Sequence, residues 1–136
     1  MNKRILVIDD DEGIRKLFKR ALEDTSYQVD TAESGPVGVK MQDVYRYDLI
    51  FLDLNMPGMN GIEVLSKIRA SDKQVPIYII TAFHQDYLEA ITDIFQKGLK
   101  FEIAHKPLTI DQIISITAES LEDSKTHKFM KKVLNL

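Results

Sequence analysis

Runs of consecutive apolar residues and stretches with helical spacing take turns along this chain. Lys3–Ile8, Tyr47–Asp53 and Val75–Thr81 are β-branched and apolar on both faces, as expected of central parallel strands covered on each side. Tyr27–Ala32 alternates and reads as a more exposed strand, and Phe101–His105 as a short fifth one. Between them the period changes. Ile14, Leu17, Phe18, Ala21 and Leu22 mark a helix over Glu12–Asp24, and Val37, Met41 and Val44 mark one after the Ser34-Gly35-Pro36 turn. Ile62, Leu65 and Ile68 mark a third. Leu88, Ile91, Ile94 and Phe95 face inward on a fourth, from Gln85 to Lys97, with Gly98 as its stop. Thr109 caps a last helix with Ile110, Ile113, Ile114, Thr117 and Leu121 on one stripe. Gly38 weakens the second helix.

This βαβαβαβαβα succession predicts an α/β protein whose five-stranded parallel sheet carries helices on both faces. Right-handed crossovers leave few arrangements, and five strands suit a doubly wound, flavodoxin-like (βα)5 fold with strand order 2-1-3-4-5.

Composition narrows the function classes. The chain has 136 residues, 44% of them apolar and 29% charged, which suits one domain with an ordinary core. It has no cysteine, so disulfides, zinc thiolate sites and cysteine nucleophiles are excluded. The basic start, Met1 to Arg4, precedes an apolar run too short for a signal peptide or a membrane span, and a cytoplasmic location is expected. The net charge of −3 conceals an asymmetry, because Lys125, Lys128, Lys131 and Lys132 have no acid among them. The body is therefore acidic, which argues against direct DNA binding.

Polar residues gather at the carboxyl ends of the strands, where such sheets bind ligands. Asp9 and Asp10 follow the first strand, Asp53 ends the third, Thr81 ends the fourth, and Lys106 follows the fifth. Helix-start charge accounts for Asp11 and Glu12, but not for an Asp9-Asp10 pair at a strand end. Three close carboxylates repel unless a cation joins them. Oxygen ligands without histidine or cysteine point to Mg²⁺, which takes a further oxygen from a phosphate. Lys106 and Thr81 suit phosphoryl oxygens, and the chemistry implied is phosphoryl transfer onto a carboxylate.

Val7-Ile8-Asp9-Asp10-Asp11, Asp53-Leu54-Asn55-Met56-Pro57-Gly58-Met59-Asn60-Gly61, Ile80-Thr81-Ala82 and Lys106-Pro107 together resemble the receiver domain of bacterial response regulators, the CheY-like fold. The resemblance spans about residues 3 to 121. It implies that Asp53 accepts a phosphoryl group from a sensor histidine kinase or phosphotransfer protein. It implies Mg²⁺ held by Asp9, Asp10, Asp53 and the backbone carbonyl of Asn55, with Thr81 and Lys106 on the phosphoryl group. A cis peptide before Pro107 is expected as well. The domain would catalyse only its own phosphorylation and dephosphorylation, so it is not an enzyme in the usual sense. Output would run through Thr81 to the face formed by the fourth helix, fifth strand and fifth helix, toward a downstream protein, an effector domain or a second copy.

This sequence departs from the family pattern at the position three before Lys106, where Ile103 replaces Tyr or Phe; Phe101 is the nearest aromatic, on the same face by alternation. Gly98 comes one residue early, and Phe83 is an apolar ring at a rim position that is more often polar. His84, His105 and His127 lie at no metal spacing, and Tyr78, Tyr87 and Phe95 read as core or half-buried. Residues 1–123 form the receiver. Residues 124–136, with Phe129, Met130, Val133, Leu134 and Leu136 among lysines, are a helix continuation, a linker or a frayed tail, the first being favoured. Two other functions compete. A pseudo-receiver, a protein-binding module without phosphoryl chemistry, would be expected to lack one of the site groups, and none is missing. An aspartyl-phosphate phosphatase would need a second acid where Asn55 stands.

Overall fold

The computed structural model describes residues 2–82 and 86–122. The readings of Phe83, His84, Gln85, His127 and segment 124–136 lie outside the described residues, as does that of the Tyr87 side chain.

The strands are β1 (Arg4–Ile8), β2 (Gln28–Ala32), β3 (Leu49–Asp53), β4 (Ile77–Thr81) and β5 (Glu102–His105). The helices are α1 (Glu12–Leu22), α2 (Gly35–Val44), α3 (Gly61–Ser71), α4 (Asp86–Gln96) and α5 (Ile110–Leu121). All strand pairings are parallel, in the order β2-β1-β3-β4-β5. The flavodoxin-like expectation holds, with strands trimmed by a residue or two. β4 starts only after Pro76, whose missing N–H suits a strand start.

The pleat divides the core. Leu6, Ile8, Ile50, Leu52, Ile77 and Ile79 face α2, α3 and α4, where Val39, Met41, Val64, Leu65, Ile68 and Ile94 meet them. Ile5, Val7, Leu49, Phe51 and Ile80 face α1 and α5 and meet Phe18, Leu22, Ile113 and Leu121. Every residue of β3 is buried, which explains the continuous apolar run Leu49 to Leu52. Among the described residues, side-chain caps start four helices. Asp11 accepts from the Ile14 amide, Ser34 from Val37 and Asn60 from Glu63, while Thr109 forms a capping box with Gln112. Gly98, at φ 71°, stops α4 as expected. Among the described residues no helix is long and apolar enough to cross a membrane.

Helical spacing overstates what three helices bury. On α4 only Ile94 is fully buried among the residues expected to face inward; Phe95 is 75% exposed and Leu88 54%. Phe95 is therefore a surface residue. On α5, Ile110 and Ile114 are also exposed, and Ile113, Thr117 and Leu121 carry the contact. On α2, Val37 and Val44 face outward, because the helix lies on β1 through Gly38. A Cβ there would sit 2.5 Å from Ile8 Cδ1. Gly38 is thus a requirement of close approach, more than a weakness of the helix.

The amino edge of the sheet is closed by charge. Arg4 Nε donates to Asp30 at 2.8 Å, Tyr47 Oη donates to the same carboxylate at 2.7 Å, and the guanidinium lies 3.9 Å from the Tyr45 ring centroid. On α3, Arg69 is buried and donates to three backbone carbonyls, those of Lys100, Asp72 and Val75. It ties the end of α3 to the loops that lead into β4 and β5.

Candidate functional site

At the carboxyl edge the strands end in register: Ile8 pairs with Leu52, Asp53 with Ile80, and Thr81 with His105. Asp9 therefore leaves the sheet beside Asp53. One carboxylate oxygen from each of Asp9, Asp10 and Asp53 lies within 4.8 Å of the others. Asp9 is 1% exposed and Asp53 3%, whereas Asp10 is exposed. Lys106 Nζ stands 3.1 Å from Asp53 Oδ1 and 3.7 Å from Asp9 Oδ2, and the Lys106 amide donates to the Thr81 carbonyl at 2.9 Å. The Lys106–Pro107 peptide is cis, as expected.

Burial of two acids this close has an electrostatic consequence. Burial, then the charge of Asp9, pushes the Asp53 carboxyl up to about 6, against the pull of Lys106 and the Asn55 amide. Burial also raises Asp9; the Asp11 amide and Lys106 oppose it, while Asp10 and Asp11 add to it. Burial pulls the Lys106 ammonium down, but the charges of Asp53 and Asp9 outweigh it and leave the group above its ordinary value. One ion pair normally lowers its acid while raising its base. Here the acid rises as well, because one lysine cannot offset burial and a second carboxylate. The cluster is short of positive charge.

A divalent cation would supply that charge. Asp9 Oδ2 is buried without a hydrogen-bond partner, and the surrounding donors are all oxygens, a set that suits Mg²⁺. The remaining predicted residues are placed as follows. Asn55 follows the site on an exposed position, its amide donating to Asp53 Oδ1 at 3.3 Å. Thr81 is buried at the end of β4, and its hydroxyl donates to the Ala82 carbonyl at 2.9 Å. Ile103 lies on the edge strand, 37% exposed, while Phe101 precedes β5 and packs against the core on the α3 and α4 face.

The family model described as the response regulator receiver domain matches residues 5–118. The chain belongs to that family. Receivers are the phosphoryl-accepting modules of two-component signalling rather than enzymes in the usual sense, and the CheY-like fold agrees. Sporulation initiation phosphotransferase F of Bacillus subtilis is 34% identical over 113 residues, covering 83% of this chain and 89% of that protein. The cell cycle response regulator CtrA of Brucella ovis is 34% identical over 127 residues, 91% of this chain, but the chain spans only 52% of that protein's length. Among solved structures, a CheY-like receiver domain protein from Methanospirillum hungatei superposes with a TM-score of 0.80 at 25% identity, over 90% of this chain and 95% of that one. The response regulator TrrA of Thermotoga maritima, in complex with Mg²⁺-BeF, gives a TM-score of 0.73 at 34% identity, over 88% and 99% of the two chains.

Two arginines of this receiver are not singled out by the sequence pattern. Arg69 reads as a polar residue beside a helical stripe, and Arg15 as one of several bases on α1. Arg15 Nη1 in fact donates to the backbone carbonyl of Asp9 at 2.9 Å. Its place in the helix turn beside the acidic loop was the one available signal.

Proposed function

We propose that this receiver takes a phosphoryl group onto Asp53 from the phosphohistidine of a sensor kinase or phosphotransfer protein, with Mg²⁺ as cofactor. The observation that carries it is the buried Asp9–Asp53 pair, with Asp10 at its mouth and Lys106 against Asp53. An Asp53 carboxylate oxygen attacks phosphorus, the P–N bond of the donor breaks, and the departing imidazole keeps the bonding electrons and takes a proton. Asp9, Asp10, Asp53 and the Asn55 carbonyl would hold the cation. When bound, Mg²⁺ neutralises charge on the transferring phosphoryl oxygens. Lys106 stands where it would pair with one of those oxygens. The Thr81 hydroxyl would exchange the Ala82 carbonyl for another.

That exchange is the switch. Phosphorylation adds charge beside a buried threonine on β4, and β5 lies next to it in register. With Phe101 partly buried against the core, the read-out runs through Thr81 and the edge residue Ile103 rather than through an edge aromatic. The likeness to a sporulation phosphotransferase supports a place in a phosphorelay, and the likeness to CtrA supports coupling to an effector. A cytoplasmic setting is part of the same proposal. Association with a second copy would use the α4-β5-α5 face.

Incubation with Mg²⁺ and acetyl phosphate, followed by intact mass, tests the proposal. One phosphate adduct on the wild type and none on Asp53→Ala is expected. No adduct on the wild type would instead favour a pseudo-receiver that works only as a binding module, and an equal adduct on Asp53→Ala would remove Asp53 from the acceptor role.

A further inference from the structure

Almost every polar atom of Asp9 is committed. Its amide donates to the Ala32 carbonyl at 3.1 Å, and its Oδ1 accepts from the Asp11 amide at 2.9 Å. Its carbonyl, one residue past the end of β1, accepts from Arg15 Nη1 at 2.9 Å. Only Oδ2 has no hydrogen bond, and it is buried beside Asp53. The carbonyl that Arg15 holds belongs to the peptide joining Asp9 to Asp10. Fixing the plane of that peptide constrains the backbone from which both carboxylates project. Without the guanidinium, a carbonyl on a 1%-exposed residue would seek another donor, and the turn would rotate to find one.

We propose that Arg15 is a positioning residue for the cation site, acting through the Asp9 carbonyl and touching neither cation nor phosphoryl group. The inference rests on the proposed binding of Mg²⁺ by Asp9, Asp10 and Asp53. It carries a sign that a bland role for Arg15 does not. By charge alone, an arginine beside an acidic cluster repels a divalent cation, so removing it would tighten Mg²⁺ binding. By positioning, removing it loosens the two carboxylates and weakens binding, about 10-fold on the scale of groups that orient metal ligands.

The test is Mg²⁺ titration of wild type, Arg15→Met and Arg15→Lys by calorimetry, with no phosphodonor present. Arg15→Met keeps the apolar stem and loses both charge and donors. Arg15→Lys keeps the charge and a donor of similar reach. Weaker binding by about 10-fold in Arg15→Met, with Arg15→Lys recovering most of the loss, is expected. Equal or tighter binding in Arg15→Met, or an Arg15→Lys no better than Arg15→Met, overturns the inference and leaves the cation site standing. No binding by the wild type overturns both. Should Arg15→Met fail to fold, the guanidinium of the wild type is read directly by NMR. Restricted rotation about its Cζ–Nη bonds supports the hydrogen bond, and free rotation overturns it.

Discussion

Replacing Asp53 by asparagine should stabilise the cation-free protein, although it deletes the central residue of the site. The Asp53 carboxyl is raised from 3.8 to about 6, first by burial and then by Asp9. The folded state therefore holds this proton more tightly than the unfolded chain does. Between about pH 4 and 6 the unfolded chain has lost the proton while the folded one keeps it, so stability falls as pH rises through that window. A shift of this size corresponds to about 3 kcal/mol, fully expressed above the folded pKa. Lys106 is already included, since its charge helps hold the value down to about 6. Asparagine mimics the neutral carboxyl, and its Oδ1 keeps the acceptor for the Asn55 amide. In EDTA at pH 7, Asp53→Asn should therefore gain up to about 3 kcal/mol in urea unfolding followed by circular dichroism, at unchanged m. At pH 4 the wild-type acid is neutral in the folded state and still partly protonated in the unfolded one, and the gap should shrink below about 1 kcal/mol. Saturating Mg²⁺ should narrow the gap at pH 7 by stabilising the wild type, by about 2.7 kcal/mol at a hundredfold excess over its Kd, more than a variant that has lost one ligand. A variant no more stable than wild type in EDTA at pH 7, or a gap that ignores pH, would refute the electrostatic account.

Removing the lysine should move the same acid further. Lys106→Met deletes a charge and a hydrogen bond that both lower Asp53, so its midpoint should rise above about 6 in cation-free protein, as read from the side-chain carbon by NMR; an unmoved or lower midpoint contradicts the ion pair. Gly38→Ala should lower stability by about 1–2 kcal/mol, because overpacking against Ile8 outweighs the roughly 1 kcal/mol of helix propensity that alanine brings. Adding Ile8→Val, which removes the nearest atom, should return part of that loss. Arg69→Met should cost about 3 kcal/mol in urea unfolding by stranding the carbonyls of Lys100, Asp72 and Val75, and a change under about 0.5 kcal/mol would show that water replaces the guanidinium freely.

The comparison of strands with helices shows where sequence information stops. A strand buried on both faces writes itself as a continuous apolar run, so β1, β3 and β4, their order and the acids at their ends were all legible. Asp9, Asp10, Asp53 and Lys106 meet because parallel strands bring their carboxyl ends to one edge, and topology alone guarantees that. The caps Ser34 and Thr109 were legible for a similar reason, since a local hydrogen bond needs only local sequence.

Helix faces were less legible. Apolar spacing says that Leu88, Ile94 and Phe95 share a side of α4, but the distance and tilt of the helix over the sheet decide that only Ile94 is covered. On α2 the deciding residue carried no apolar signal, because Gly38 buries its backbone against Ile8. The sequence by itself determined the fold and the strand order, because both follow from the alternation of apolar runs with helical stripes. It also determined the identity of the acidic cluster, which depends on residue type at the strand ends. Only the tertiary structure decided that Asp9 Oδ2 is left without a hydrogen bond, that burial and Asp9 push the Asp53 carboxyl up to about 6, and that Arg15 and Arg69 act on backbone carbonyls. Burial and hydrogen bonds to the main chain depend on where other segments lie, and a carbonyl leaves no mark in the identity of the residue that carries it.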